Sequence, residues 1–179
     1  AYYTFYNTWD PPSQAAFLAL GLRDVAPYVL RVRALGLQAQ LYEGESFNPE
    51  VALPGRFDFA FVLIYLTPLF AIALLHDVVS AERESGRLRL LQAMPNTRQL
   101  WLRRIGLRYA LLLACLVVPA SVGAVWSQTP PPVLLAVLAV GAAYLAFWVG
   151  VSVLVATSRW RSVANATALM GVWVALVLV

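Results

Sequence analysis

The sequence is poor in charge. Only 12% of its 179 residues are Asp, Glu, Lys or Arg, about half the share of a typical soluble domain. Lysine is missing altogether, so all thirteen basic residues are Arg. That excludes a nucleotide-binding loop of the Gly-rich Lys type, because the cation that would meet the phosphates is absent. A single Cys, Cys115, excludes an internal disulfide. One Cys with one His leaves too few soft ligands for a His/Cys metal cluster, so neither a metal nor another cofactor is expected. No signal-peptide pattern opens the chain, and residue 1 is Ala. What the chain has instead is apolar residues, at 61%. Disorder and an ordinary water-soluble domain are both poor descriptions of such a composition.

The few charges are unevenly placed. None falls in the 17 residues from Phe59 to Leu75, in the fifty from Tyr109 to Ser158, or after Arg161. A membrane helix needs about 20 mostly apolar residues. The fifty-residue run is too long for one crossing and is split by Ser127-Gln128-Thr129-Pro130-Pro131-Pro132. The expected fold is an all-α polytopic membrane protein with transmembrane helices at 59–76, 109–127, 133–157 and 163–179. Between them lie a cytoplasmic region at 77–108, an outer turn at 128–132 and a cytoplasmic loop at 158–162. Residues 1–58 form an extracytoplasmic segment. The last span meets the chain end without a flanking charge, so the chain is expected to be part of a longer membrane protein. A soluble helical bundle would lack the polar surface to cover four such stretches.

Arginine placement sets the orientation. Residues 77–108 hold seven Arg against three acids, a net of +4, and 157–165 hold Arg159 and Arg161 with no acid. Residues 1–58 hold four Arg against six acids, a net of −2, and the turn at 127–132 has none. Basic loops alternate with neutral or acidic ones, which places 77–108 and 157–165 in the cytoplasm. The net charge of +4 is therefore a topology signal. No nucleic-acid partner is expected, because no basic stripe stands apart from the membrane flanks. Trp101, Tyr109, Trp126 and Trp160 sit near span ends, where amphipathic rings favour the headgroup layer.

In the outer segment, Ala1 to Tyr6 reads as the mouth of a preceding span or a short strand. Ser13 is a candidate N-cap for a short helix over 14–24, and a second helix is expected after Pro27. The stretch 42–49 reads as loop. The segment serves as a gating or partner-binding cap, or as a connector.

The cytoplasmic stretch from His76 to Arg98 is the most informative. Ser80 and Glu84 are spaced for a short helix, Gly86 ends or bends it, and Pro95 stops the apolar run of Leu88, Leu90 and Leu91. Asn96 or Thr97 can cap an amphipathic helix carrying Trp101, Leu102 and Ile105 beside Arg103, Arg104 and Arg108. This describes a charged, partly apolar elbow at the membrane surface, able to dock into a partner and pass motion to the attached spans.

The pattern of Pro68-Leu69, Asp77, Ser80, Glu82-Arg83-Glu84, Gly86, Leu88, Leu90-Leu91, Pro95 and Arg98 resembles permease subunits of the type-2 class of ATP-binding-cassette exporters. Asn48-Pro49 and Gly55-Arg56-Phe57-Asp58-Phe59 further resemble a bacterial subgroup related to permeases for nitrous-oxide reductase copper maturation and for gliding motility. The match covers 42–108, and later spans agree in hydrophobicity and spacing. Arg87 departs from the pattern, which usually has Thr there, and Arg104 stands in for a commonly basic position. The resemblance implies a bacterial cytoplasmic-membrane permease, not itself an enzyme, with ATP hydrolysed on a separate ATPase subunit. It implies an ATPase-coupling region of Asp77, Ser80, Glu82, Arg83, Glu84, Gly86, Leu88 and Leu91, and a homodimer or heterodimer with a second permease, surrounded by membrane lipid. The other reading is a non-transporting membrane scaffold that binds partners through its outer segment.

Inside the expected spans, Ala136, Ala139, Ala143, Ala146 and Gly150 repeat every seven residues on one stripe, expected to face another helix of the same subunit or of a dimer. The opposite side carries Leu138, Tyr144, Leu145 and Trp148. Pro68 and Pro119 are expected to kink their helices, with Thr67 and Ser121 near the freed carbonyls. The spans hold no charge, which argues against a proton relay or an ion-coupled transporter.

Overall fold

The computed structural model describes residues 5–9, 13–19, 29–33 and 57–177. Asn48-Pro49, Gly55-Arg56, the loop at 42–49 and residues 20–24 lie outside them. The described chain is helical apart from one antiparallel ribbon, β1 (Phe5–Trp9) and β2 (Val29–Arg33), in which Phe5 pairs with Arg33 and Trp9 with Val29. The strand at β2 corrects the helix expected after Pro27. From Leu30 to Arg33 apolar and basic residues alternate with period two, and Val29 and Val32 suit a strand. Residues 13–18 form tight turns rather than the opening of a helix: Ala16 N–H donates to Ser13 O and Leu18 N–H to Ala15 O.

Helix α1 comprises three consecutive stretches, Phe59–Phe61, a wide π-helical turn at Val62–Leu66, and Thr67–Leu75. Asp58 caps its start, accepting from Phe61 N–H at 2.8 Å. Pro68 explains the wide turn. It has no N–H to give Ile64 four residues back, and the helix adjusts around that gap. Thr67 Oγ1 donates to Val62 O at 3.0 Å, and Tyr144 Oη reaches across from another helix to Ile64 O at 2.9 Å. Pro119, by contrast, lies inside a helix that runs unbroken through it.

Two short helices follow, α2 (Ser80–Glu84) and α3 (Leu88–Gln92), then three longer ones, α4 (Thr97–Ser127), α5 (Pro131–Ala156) and α6 (Ser162–Val177). The amphipathic segment 97–108 and the span 109–127 are one helix, since no breaker lies at their junction and Gly106 beside it does not stop the helix. Helix α4 stops at Gln128, which takes a left-handed φ of 55°. Helix α5 starts at Pro131, inside the expected outer turn, because Pro is favoured in a first helical turn where no N–H is needed.

Among the described residues, three stretches are long and apolar enough to cross a membrane: Phe59–Glu84, Thr97–Ser127 and Pro131–Ala156. In the first, the uncharged part ends at Leu75. Ser162–Val177 is apolar but shorter.

The core joins Ala71, Ile72 and Leu75 of α1, Leu112 and Leu116 of α4, Leu145, Trp148 and Val149 of α5, and Leu169 of α6. Large apolar side chains remain bare outside it, among them Leu107, Val125, Leu135, Val140 and Leu154. A soluble monomer rarely exposes so much apolar surface, whereas lipid covers it without cost.

The small-residue stripe of α5 faces no helix of the same subunit among the described residues, which leaves the dimer alternative. Ala136, Ala139, Ala143, Ala146 and Gly150 are all exposed, while Gly141, Leu145, Trp148, Ser152 and Ala156 are buried. Two stripes of similar period run along α5, and the buried one holds its own small residues. Leu63 lies 3.5 Å from where a Cβ on Gly141 would stand, so close approach to α1 occurs there.

At the end opposite the elbow, residues 13–18 close over the bundle. Thr129 Oγ1 donates to Gln14 O at 2.6 Å, Ala60 N–H to Leu18 O at 2.9 Å, and the Phe17 ring lies directly on Gly123, where any side chain would collide with it.

Candidate functional site

The elbow consists of α2 and α3 joined at Gly86. Helix α2 is followed by Ser85 at its C-cap, and Gly86 then takes a φ of 74°, a left-handed turn that side chains resist. Gly86 N–H donates back to Arg83 O at 3.0 Å. After α3, Thr97 Oγ1 donates to Leu91 O at 2.9 Å and Met94 O at 2.8 Å. The hydroxyl thus closes the end of α3 instead of capping α4, and Asn96, at the cap position, makes no side-chain cap bond.

Polar side chains lock the elbow to the loop between α5 and α6. Ser80, fully buried, shares a hydrogen bond of 3.0 Å with Ser162. Arg83 Nη1 donates to Ser158 O at 2.6 Å. Glu84 Oε1 accepts from the Ser162 backbone N–H at 2.7 Å, so this carboxylate caps the first turn of α6. An anion there meets unpaired N–H groups and the positive end of the helix dipole. The Ser162 N–H holds the Glu84 pKa below its ordinary value; Arg161 and Arg83 add to the effect. Asn165, fully buried, donates to His76 O at 3.2 Å and accepts from Ser158 Oγ at 3.0 Å. Its carboxamide fastens α6 to the end of α1.

A second set of contacts fastens the elbow to α4. Glu82 is clasped by Arg104 Nη1 at 2.8 Å and Arg87 Nε at 3.1 Å, with its side chain only 14% exposed. Arg104 also lies 5.4 Å from the Trp101 ring centre. Arg108 sits 4.0 Å from Asp77 and donates to Leu74 O. Arg87, the departure from the family-like pattern, is therefore a partner of Glu82.

All three acids thus have partners within the protein, although only Glu82 is withdrawn from the surface, and the rest of the elbow's free surface has another character. Leu90, Met94, Arg87 and Arg89 are exposed. Between the elbow and the ends of α4 and α5 runs an open groove of about 310 Å³, lined by Val79, Arg83, Leu88, Gln92, Trp101, Ile105, Val153 and Thr157. Leu88 is half-buried in it, and Leu91 is half-buried nearby.

Of the residues expected to form the coupling region, Ser80, Arg83 and Glu84 converge on the α5–α6 loop, Glu82 and Asp77 on α4, and Gly86, Leu88 and Leu91 shape the elbow and its groove. Sequence reasoning missed Ser158, Ser162 and Asn165 as partners. The available signal was Asn165 itself, an amide in an uncharged apolar run, where a polar group needs a partner. Among the described residues, no group of His, Cys, Asp or Glu is arranged to hold a metal ion. Comparison of the chain with protein-family models, with curated proteins and with solved structures finds no match.

Proposed function

We infer that the chain is a permease subunit of a type-2 ATP-binding-cassette transporter in a bacterial cytoplasmic membrane, with α2 and α3 as the element that receives motion from a separate ATPase. In this reading α6 is a fourth crossing, residues 1–58 lie outside, and the exposed stripe of α5 is available to a second permease. The observation that carries the reading is the double anchoring of the elbow. One short element is tied through Ser80, Arg83 and Glu84 to the start of α6, and through Glu82 to α4. Displacement of such an element moves two long helices together, as a coupling device requires. Its free face presents Leu90 and Met94 beside Arg87 and Arg89, a partly apolar and basic surface suited to docking.

The test is cross-linking to the ATPase encoded beside this chain's gene. Leu90→Cys and Met94→Cys, each in a Cys115→Ala background, should cross-link to that ATPase through a short bismaleimide, and Val125→Cys at the opposite end should not. If the ATPase neither co-purifies nor cross-links, the permease reading is wrong.

A further inference from the structure

The arginines at the elbow end fall into two groups. Arg83, Arg87, Arg104 and Arg108 are tied to carbonyls and carboxylates. Arg89, Arg98, Arg103, Arg159 and Arg161 are exposed, and their side chains make no ion pair or hydrogen bond among the described residues. Of these, Arg103 adjoins Leu102, a bare apolar side chain at 60% exposure, and Arg159 and Arg161 flank Trp160 at 56%. A cation next to a bare apolar group is the composition of a surface that meets lipid at the headgroup level.

Helix length fixes the depth. The uncharged part of α4 begins at Tyr109 and ends at Ser127, about 28 Å at 1.5 Å per residue, close to the hydrocarbon thickness. Arg103 then lies roughly 9 Å beyond that edge, within reach of the headgroup layer for an extended arginine side chain. Arg98, also exposed, lies roughly 16 Å beyond it, outside that layer. Arg159 follows α5 by three residues and precedes Trp160.

We propose that Arg103 and Arg159 bind the phosphates of anionic phospholipid headgroups, with Leu102 and Trp160 lying in the same headgroup layer. The occupant is an anionic glycerophospholipid: the guanidinium groups supply the complementary charge, and the adjoining apolar side chains favour the headgroup layer over water. This assignment rests on the membrane reading alone and does not need the ATPase.

The full chain is reconstituted in phosphatidylcholine, and tryptophan quenching by dibrominated phosphatidylglycerol is compared with quenching by dibrominated phosphatidylcholine. Trp101 and Trp160 are near the two arginines and report on the lipid there. The wild type should favour the anionic lipid several-fold. Arg103→Gln and Arg159→Gln should each weaken that preference by about five-fold or less, and the double variant should bring it near parity. High salt should weaken the wild-type preference in the same direction. Arg98→Gln should leave it unchanged. Because neither arginine has a partner in the fold, helix content by circular dichroism should match the wild type in every variant. The proposal fails if the wild type shows no preference, if the double variant keeps it, or if Arg98→Gln removes it equally. It also fails if the variants lose binding to the partner ATPase while lipid preference stays intact.

Discussion

Removing the Tyr144 hydroxyl should cost stability in proportion to what Pro68 has taken away. Pro68 deprives the Ile64 carbonyl of its intrahelical donor, and Tyr144 Oη supplies a replacement at 2.9 Å from α5. In lipid no solvent competes for that carbonyl. Interhelical hydrogen bonds in membrane proteins average about 0.6 kcal/mol and reach about 1.7 kcal/mol. A carbonyl without its own helical partner belongs near the upper end, so Tyr144→Phe should cost about 1–1.5 kcal/mol. The phenyl ring keeps its edge contact with Trp148, 6.5 Å between ring centres, so packing loss adds little. Pro68→Ala restores an N–H able to serve Ile64, and in that background Tyr144→Phe should cost only about 0.3 kcal/mol. The double-mutant cycle should thus show a coupling of about 1 kcal/mol. Equilibrium unfolding in bicelles by steric trapping reads all four free energies. If Tyr144→Phe costs the same in both backgrounds within about 0.3 kcal/mol, the hydroxyl is not compensating for proline, and the account of the wide turn at Val62–Leu66 is refuted.

Ser152 Oγ is buried without a hydrogen-bond partner, so Ser152→Ala should be neutral or stabilising by up to about 1 kcal/mol, read as a raised unfolding midpoint; a loss above 1 kcal/mol would reveal a partner. Gly123→Leu should drive the Phe17 ring off α4 and free residues 13–18 from the bundle, read as faster proteolytic cleavage there while the helical core stays protected. Asn165→Ala leaves His76 O with only the long bond from Ser80 Oγ and the Ser158 hydroxyl without its acceptor, and should cost about 1–3 kcal/mol, against less than about 0.5 kcal/mol for Thr167→Ala on the exposed side of α6, both read by the same unfolding assay. The depressed Glu84 pKa sets a sign for pH: its cap on α6 is fully present above the ordinary carboxylate value of 4.5 and fades as pH falls through the lowered folded value. The stability gap between wild type and Glu84→Gln should therefore be present at pH 7 and shrink on acidification below 4.5, and a gap that grows in acid would contradict the cap.

Much of this arrangement was legible in the sequence because it follows from one-dimensional signals. The uncharged runs located the long helices, and Gly86 and Pro95 marked the bends of the elbow. What the sequence left open has a physical reason. Period alone cannot tell which of two small-residue stripes on α5 packs within the subunit, since Ala136 to Gly150 and Gly141 to Ala156 are both compatible with close packing. Nor does an acidic cluster reveal whether its charges are free. Glu82 and Glu84 look alike in the sequence, yet one is clasped by arginines five and twenty-two residues away and the other caps a helix seventy-eight residues on.

That distribution of acids bears on how an elbow of this kind could transmit force. Had Glu82 and Glu84 been free, they would have been the obvious contacts for a partner, and their reversal would report on docking. Held as they are, they report on the joint between elbow and bundle. Reversing Glu82 places a third cation between Arg87 and Arg104, which loosens the elbow whether or not a partner is bound. Docking and transmission are therefore separable by site. Leu90 and Met94 stand free on the outer side of the elbow, where substitution should weaken partner binding and leave the fold intact. Glu82 is clasped against α4 and Glu84, although exposed, caps α6, so Glu82→Gln or Glu84→Gln should leave ATPase co-purification intact and break the dependence of substrate movement on hydrolysis. If Glu84→Gln instead abolished co-purification while the cross-link from Leu90→Cys persisted in membranes, the division between an outer docking face and an inner transmitting joint would be wrong.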